Sequence, residues 1–232
     1  MIEVTYIDHM GSDLSVVNAA RVSFGKKSDW IPRVHNGEAK QLSQKDTKLI
    51  NYLAKHKHTS PFGHAFASFH VKAPLFVHAQ LVKHKFLRVN TVSRRYIDSE
   101  PEFYVPDAWR ERSIDKKQGS GDIMLNVDHL IPEWDEIYGG IVYTDSNIVC
   151  LNAYEGLLSQ GVAPEMARMV LPQSMMTEWY WSGSLDAFAD MCNLRCKLDT
   201  QYESRIVANK VFSEMLKLYP VSWAALMENN DD

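Results

Sequence analysis

The run "AFASFHVKA" constrains the fold of this chain more than any other segment. It puts Ala65, Ala67, Phe69, Val71 and Ala73 on one side of an extended backbone, with Ser68, His70 and Lys72 on the other. Successive side chains of a strand point to opposite faces, so the pattern calls for a sheet with one covered and one more polar face. Two further segments read as strands: the alternating opening "IEVTYI" and the aromatic-rich "MTEWYWSG". Helical patterns lie between and after them. "SDLSVVNAARVSF" is capped by Ser12 or Asp13, and Ser43 opens "SQKD", a capping-box-like start to a stripe of Leu49, Ile50 and Leu53. Pro74 starts a helix expected to carry Gln80, Lys83 and His84. Lys26 to Lys40 reads as an irregular, mobile loop and "HKHTSPFGH" as a turn. "SRRYIDSEPEFYVPDAW" is too rich in proline and polar residues for a long helix, and "KKQGSGD" is a flexible loop. Two helical stretches are expected next, broken near Gly139-Gly140 and ended near Gly161. A short helix "PEMARMVL" is stopped by Pro172, and a last helical region runs from a Ser184 cap to before Pro220. No repeat or linker divides the chain, so residues 1–232 read as one α+β domain.

With 45% hydrophobic residues the chain has material for a substantial core, yet no apolar run is long enough to span a bilayer. The N-terminus shows no signal-peptide pattern. Cys150, Cys192 and Cys196 are too few for a disulfide framework, and a reducing cytoplasm is the expected location. Cys192 and Cys196 are spaced i,i+4, but no second pair lies at zinc-finger spacing and no metal site is expected. No P-loop and no GxGxxG after a strand is present. A net charge of −4 argues against a general nucleic-acid binder.

Against that acidic background, "KHKFLRVNTVSRRY" gathers Lys83, His84, Lys85, Arg88, Arg94 and Arg95. A basic run is usually a solvated face. This one follows directly on the apolar "LFVHAQLV", mixes in Asn90, Thr91 and Ser93, and ends where a serine hydroxyl, backbone N–H groups and Arg95 can converge on one phosphate. Local charge on an acidic protein suggests a small anionic ligand. On a helix, Lys83, His84 and Lys85 would point about 100° apart. They would then touch different parts of a large ligand, or different ligands, or lie where subunits meet.

The same stretch resembles the signature of the flavin-dependent thymidylate synthases, RHR-x-x-S-x-N-x-x-S-x-R. Lys83-His84-Lys85 stands at RHR, and Asn90, Ser93 and Arg95 match. "NAARVSF", "HKHTSPFGHAFASFHVKAPLFVHAQ", "APEMARMVLP" and "NLRCKLDTQ" also resemble segments of that family, in the expected order over nearly the whole chain. The resemblance implies a mostly antiparallel central sheet with flanking helices. It also implies a homotetramer with sites between subunits. The implied reaction is conversion of dUMP to dTMP, with methylenetetrahydrofolate as carbon donor, FAD as hydride carrier and NADPH as reductant.

Carried over residue by residue, the resemblance assigns Gln80, Ser93, Arg94, Arg95, Arg168 and Arg195 to dUMP, with Arg95 on the phosphate and Arg195 on the uracil edge as the catalytic group. It assigns His58, Ser60, Lys83, His84, Lys85, Thr91 and Asp190 to the flavin side. The plainer alternatives are an exposed Arg168 near Glu165, an i,i+4 pair of Arg195 with Asp199, and a surface His58. Departures from the family pattern concentrate around the flavin: Lys83 and Lys85 for arginines, Arg88 for a serine, Thr91 for a glutamate, Asp190 for an asparagine and Asp199 for a histidine. Lysines keep the charge but lose the planar fork. A guanidinium at the uracil edge stabilises an anionic ring without losing its own proton, so no cysteine nucleophile is obligatory. Two other functions stand as alternatives: a flavin enzyme acting on another pyrimidine nucleotide or adding hydroxymethyl, since the carbon donor leaves no separate motif, and a non-enzymatic nucleotide- or RNA-binding module. The latter has no need of the Arg168 and Arg195 segments.

Overall fold

The computed structural model describes residues 1–33, 36–97, 99–114, 119–121, 123–125 and 142–228. Four antiparallel strands form the central sheet. These are β1 (Glu3–Met10), β4 (Phe66–Pro74), β8 (Met176–Ser184) and β5 (Arg88–Thr91), in the order β1–β4–β8–β5, while β6 (Trp109–Arg110) and β7 (Met124–Leu125) pair separately. β4 pairs with β8 along its whole length, from Phe66 opposite Ser184 to Pro74 opposite Met176. The alternation legible in β4 holds, since Ala65, Ala67, Phe69, Val71 and Ala73 are all fully buried. On the same face of β8, Trp179 and Trp181 are buried. Phe188 packs edge-on against both Phe69 and Trp181, with ring centroids 5.2 and 5.7 Å away. The opposite face carries His70, Glu178 and Tyr180, with His70 Nε2 3.1 Å from a Glu178 oxygen.

The helices among the described residues are α1 (Asp13–Arg21), α2 (Gln44–Lys55), α3 (Leu75–Leu81), α4 (Val142–Ser159), α5 (Pro164–Ala167), α6 (Leu185–Arg195), α7 (Tyr202–Leu218) and α8 (Pro220–Glu228), of which α3, α6 and α7 pack against the sheet. At the start of α2 the Ser43 hydroxyl accepts from the Asp46 N–H at 3.2 Å, as the sequence led one to expect. Asp46 also takes Arg21 Nη2 at 2.6 Å and the Ser28 hydroxyl at 2.8 Å, which ties α1 and the segment after it to α2. Against the opposing cost of burial, the Ser43 hydroxyl, which donates to Asp46 Oδ2 at 2.7 Å, and then the Arg21 and Ser28 bonds hold its carboxyl below the usual carboxylate range.

Three expectations change, and one strand is new. The 26–40 segment is not wholly irregular: β2 (Ile31–Arg33) and β3 (Asn36–Gln41) pair as a hairpin. Ile31 and Pro32, which open it, are both exposed. α3 stops at Leu81, so Lys83 and His84 lie in the turns beyond it. The basic stretch contains β5, a four-residue edge strand. The last helical region is not one run ending before Pro220. It breaks at Cys196–Gln201, and Pro220 begins α8. α8 starts there because Asp13, only 3% exposed, caps it from across the fold. Its two carboxylate oxygens accept the Val221 and Ser222 N–H groups at 3.1 and 2.8 Å. The Gly139-Gly140 break lies outside the described residues, whereas α4 ends just before Gly161, whose φ of +82° suits glycine.

Candidate functional site

Folding brings Arg195, the last residue of α6, to the end of α3. Its Nε–H donates to His84 Nε2 at 3.2 Å and its Nη2 to the Gln80 carbonyl at 3.4 Å. The partners are 111 and 115 residues away in sequence. No hydrogen bond or ion pair joins Arg195 to Asp199, so its orientation is set by tertiary contacts instead. Burial, and then the Arg195 charge, push His84 down to about 4 from its ordinary value near 6.5. His84 is therefore neutral at pH 7. Because Nε2 accepts, its one ring proton sits on Nδ1.

The turn after α3 separates the basic triplet. Lys83 and Lys85 are exposed while His84 is half-buried and turned to Arg195. The turn sets the His84 side chain apart from the two lysines, and the helix expected to make all three diverge does not reach them. Gly183 in β8 leaves the space that the Leu87 side chain fills. A Cβ there would meet Leu87 Cδ2 at 2.3 Å. Neither Lys83 nor Lys85 has an acidic partner among the described residues.

A second group lies at the end of β5. Thr91, Arg94 and Arg168 line one cavity of about 350 Å³, together with Lys72, Thr177 and Glu178. Arg94 is anchored through the carbonyls of Ser99 and Glu100. Arg168 donates Nε to the Glu165 backbone carbonyl at 3.2 Å, not to the Glu165 carboxylate. Ser93 accepts from Arg95 Nε at 3.2 Å, and the exposed Arg95 guanidinium lies 5.0 Å from the Tyr96 ring centroid. Arg94, not Arg95, thus shares the cavity with Arg168. Thr91 is held by a 2.8 Å hydrogen bond between its Oγ1 and His78 Nε2.

The remaining sequence candidates lie outside both groups. Ser60 is exposed at the head of a short 3-10 turn, Ser60–His64. His58 is also exposed, edge-on to Tyr52 with centroids 6.1 Å apart. Asp190 faces a different cavity of about 490 Å³, beside Cys192, Asn193 and Cys196. Partial burial and the nearby Asp186 raise its pKa. The three cysteines are free, and burial pushes the Cys192 thiol well up. No cluster suited to a metal ion occurs among the described residues.

The structure adds residues that the sequence reading passed over. The Gln80 side chain is bonded to Gln201 and Ser204, Gln201 to Glu203, and Glu203 to Arg110. The only local signal was an acidic residue within "TQYESR", directly after the Arg195 segment.

Comparison with known proteins follows the same lines. Residues 5–221 match the family model described as thymidylate synthase complementing protein. The chain is 37% identical to the flavin-dependent thymidylate synthase of Thermus thermophilus over 229 residues, covering 97% of this chain and 76% of that protein. It is 36% identical to the one from Kosmotoga olearia, with 97% and 89% covered. Among solved structures it is similar to the UMP/dUMP methylase PolB from Streptomyces cacaoi. The form bound with 5-Br dUMP has a TM-score of 0.78 at 29% identity, covering 98% of this chain and 95% of that one. The form bound with 5-Br UMP has a TM-score of 0.79. Among the described residues no helix is long and apolar enough to cross a membrane.

Proposed function

The chain belongs to the flavin-dependent thymidylate synthases, and from that premise we propose that it methylates dUMP at C5 to give dTMP. FAD would be its flavin, methylenetetrahydrofolate its carbon donor and NADPH its reductant. The observation that carries the reading is the meeting of Arg195 with Gln80 and His84, because it turns a residue from α6 onto the end of α3, where the signature stretch begins.

The residues fit such ligands chemically. Lys83 and Lys85 are exposed cations without an acidic partner among the described residues, suited to the pyrophosphate of a dinucleotide, with Ser60 and His58 as further polar candidates on the flavin side. Arg94 and Arg168 offer two guanidinium groups on one cavity wall, the donor set that a nucleotide phosphate calls for. The bound flavin would supply the hydride that completes the methyl group.

The chain itself positions and polarises. Arg195 spends Nε–H and one Nη2 hydrogen internally, which leaves its Nη1 side to face a uracil edge. Charge that builds on the ring during C5 attack is met there by a cation that is already oriented. Neutral His84 matters to this, because a protonated imidazole would repel the guanidinium and could not accept its Nε–H.

Turnover of FAD-loaded protein with dUMP, methylenetetrahydrofolate and NADPH tests the proposal. Formation of dTMP is expected. Protein that binds FAD and dUMP yet forms no methylated nucleotide would sink it. A second reading, action on UMP as well, is favoured by the similarity to a UMP/dUMP methylase. The same assay run with UMP decides between a deoxyribose-selective and a permissive enzyme.

A further inference from the structure

The carboxamide of Gln80 is bonded through both of its polar atoms. Oε1 accepts from the Ser204 hydroxyl at 3.0 Å, and Nε2 donates to Gln201 Oε1. Gln201 Nε2 donates onward to Glu203 Oε2 at 3.2 Å, and Glu203 Oε1 takes Arg110 Nη2 at 2.5 Å. Arg110 is fixed in turn by Ser120 Oγ, 2.8 Å from its Nε, and by the Tyr202 ring, whose centroid is 4.6 Å from its guanidinium carbon. Ser204 is fully buried and Glu203 is 3% exposed.

The polarity of this chain has one source. A glutamine can turn its amide over and exchange donor for acceptor with almost no change of shape. A carboxylate paired to arginine can only accept. Glu203 therefore requires the NH2 of Gln201 to face it, and Gln201 must then offer its oxygen to Gln80. Gln80 has to answer with its NH2, which leaves its oxygen toward Ser204. Ser204 imposes nothing, since a hydroxyl both donates and accepts.

We infer that Glu203 is a positioning residue. Through Gln201 it fixes which side of the Gln80 amide offers its remaining N–H and which its remaining lone pair to the nucleotide. The inference rests on the reading of Gln80 as a dUMP contact. In Glu203→Gln the new amide still accepts from Arg110 with its oxygen and presents NH2 to Gln201. Gln201 then turns over, and Gln80 after it, so the ligand meets donor where it needs acceptor.

The test compares two variants of the full-length, FAD-loaded protein. Glu203→Gln should raise the dUMP Kd by about tenfold or more, and it should also lower Tm because Arg110 loses its anionic partner. Arg110→Lys keeps the cation, and so the acceptor-only carboxylate, but loses the Ser120 bond and the flat face on Tyr202. It should lower Tm while leaving the dUMP Kd within about threefold. A merely structural role would make affinity follow Tm in both variants, and that result overturns the inference. So does a Glu203→Gln protein that binds dUMP like the parent. If the parent itself binds no dUMP, the functional reading fails. The orientation of Gln80 is then read from side-chain NH2 resonances of glutamine-15N-labelled protein. Gln80 signals that do not move in Glu203→Gln overturn the inference in that case too.

Discussion

Arg195 spends two donors on the protein itself, and those two bonds aim the rest of the guanidinium. A contact that strengthens as the ring becomes anionic acts on the transition state more than on binding. Arg195→Ala should lower kcat by on the order of 10²–10³-fold, the scale of one lost oxyanion donor, with a much smaller rise in the dUMP Kd. Arg195→Lys, which keeps charge without the fork, should fall between. Equal losses in both quantities, measured by steady-state kinetics and calorimetry, would assign Arg195 to binding alone. His84 gives the site a pH signature. Its folded pKa of about 4 lies below the ordinary value near 6.5, so the unfolded chain takes up the proton first as pH drops. The stability this imidazole contributes is complete above about pH 6.5 and is lost between there and about pH 4. Urea unfolding should show the parent losing more stability than His84→Gln between about pH 7 and pH 5, by less than the full shift implies because the ring is only half-buried. Parallel curves for the two proteins would contradict this.

At the scale of elements, α8 depends on a single distant residue. Pro220 fits the first turn of a helix because it has no N–H to satisfy there. The next two N–H groups are met by Asp13 at the start of α1. Asp13→Ala leaves both without an acceptor in the interior. It should cost about 2 kcal/mol and lower Tm by roughly 4–8 °C. Asp13→Asn, with one acceptor oxygen left, should cost less. Neither variant should change the dUMP Kd, since α8 contributes nothing to the Gln80–Arg195 group. A loss of affinity at unchanged Tm would show that α8 reaches the site. β5 illustrates the opposite case. Four residues at a sheet edge carry too little alternation to read, and their strand state comes from pairing with β8, Arg88 opposite Ser182 and Asn90 opposite Tyr180.

At the scale of the whole molecule, large apolar side chains stand exposed in the segments that carry the site. Phe86 is 76% exposed, Tyr96 77%, Met169 73% and Leu198 82%. Together with Lys83 and Lys85 pointing outward, they suit a site completed by neighbouring copies of the chain. Light scattering should find a homotetramer, and a fully active monomer would contradict it. The sequence by itself determined whatever repeats locally. The buried face of β4, the Ser43 cap of α2, the stop of α4 at Gly161 and the ordered segments that mark the family all depend on residues a few positions apart. Tertiary structure alone decided which distant groups meet. Arg195 turns to Gln80 and His84 rather than to nearby Asp199, Arg94 instead of Arg95 shares a cavity with Arg168, and Asp13 starts a helix more than two hundred residues later. The polarity of the Gln80 amide belongs to this second kind. It is imposed by Glu203, a buried carboxylate, and the donor–acceptor rules that transmit it act between side chains that only the folded chain brings within reach.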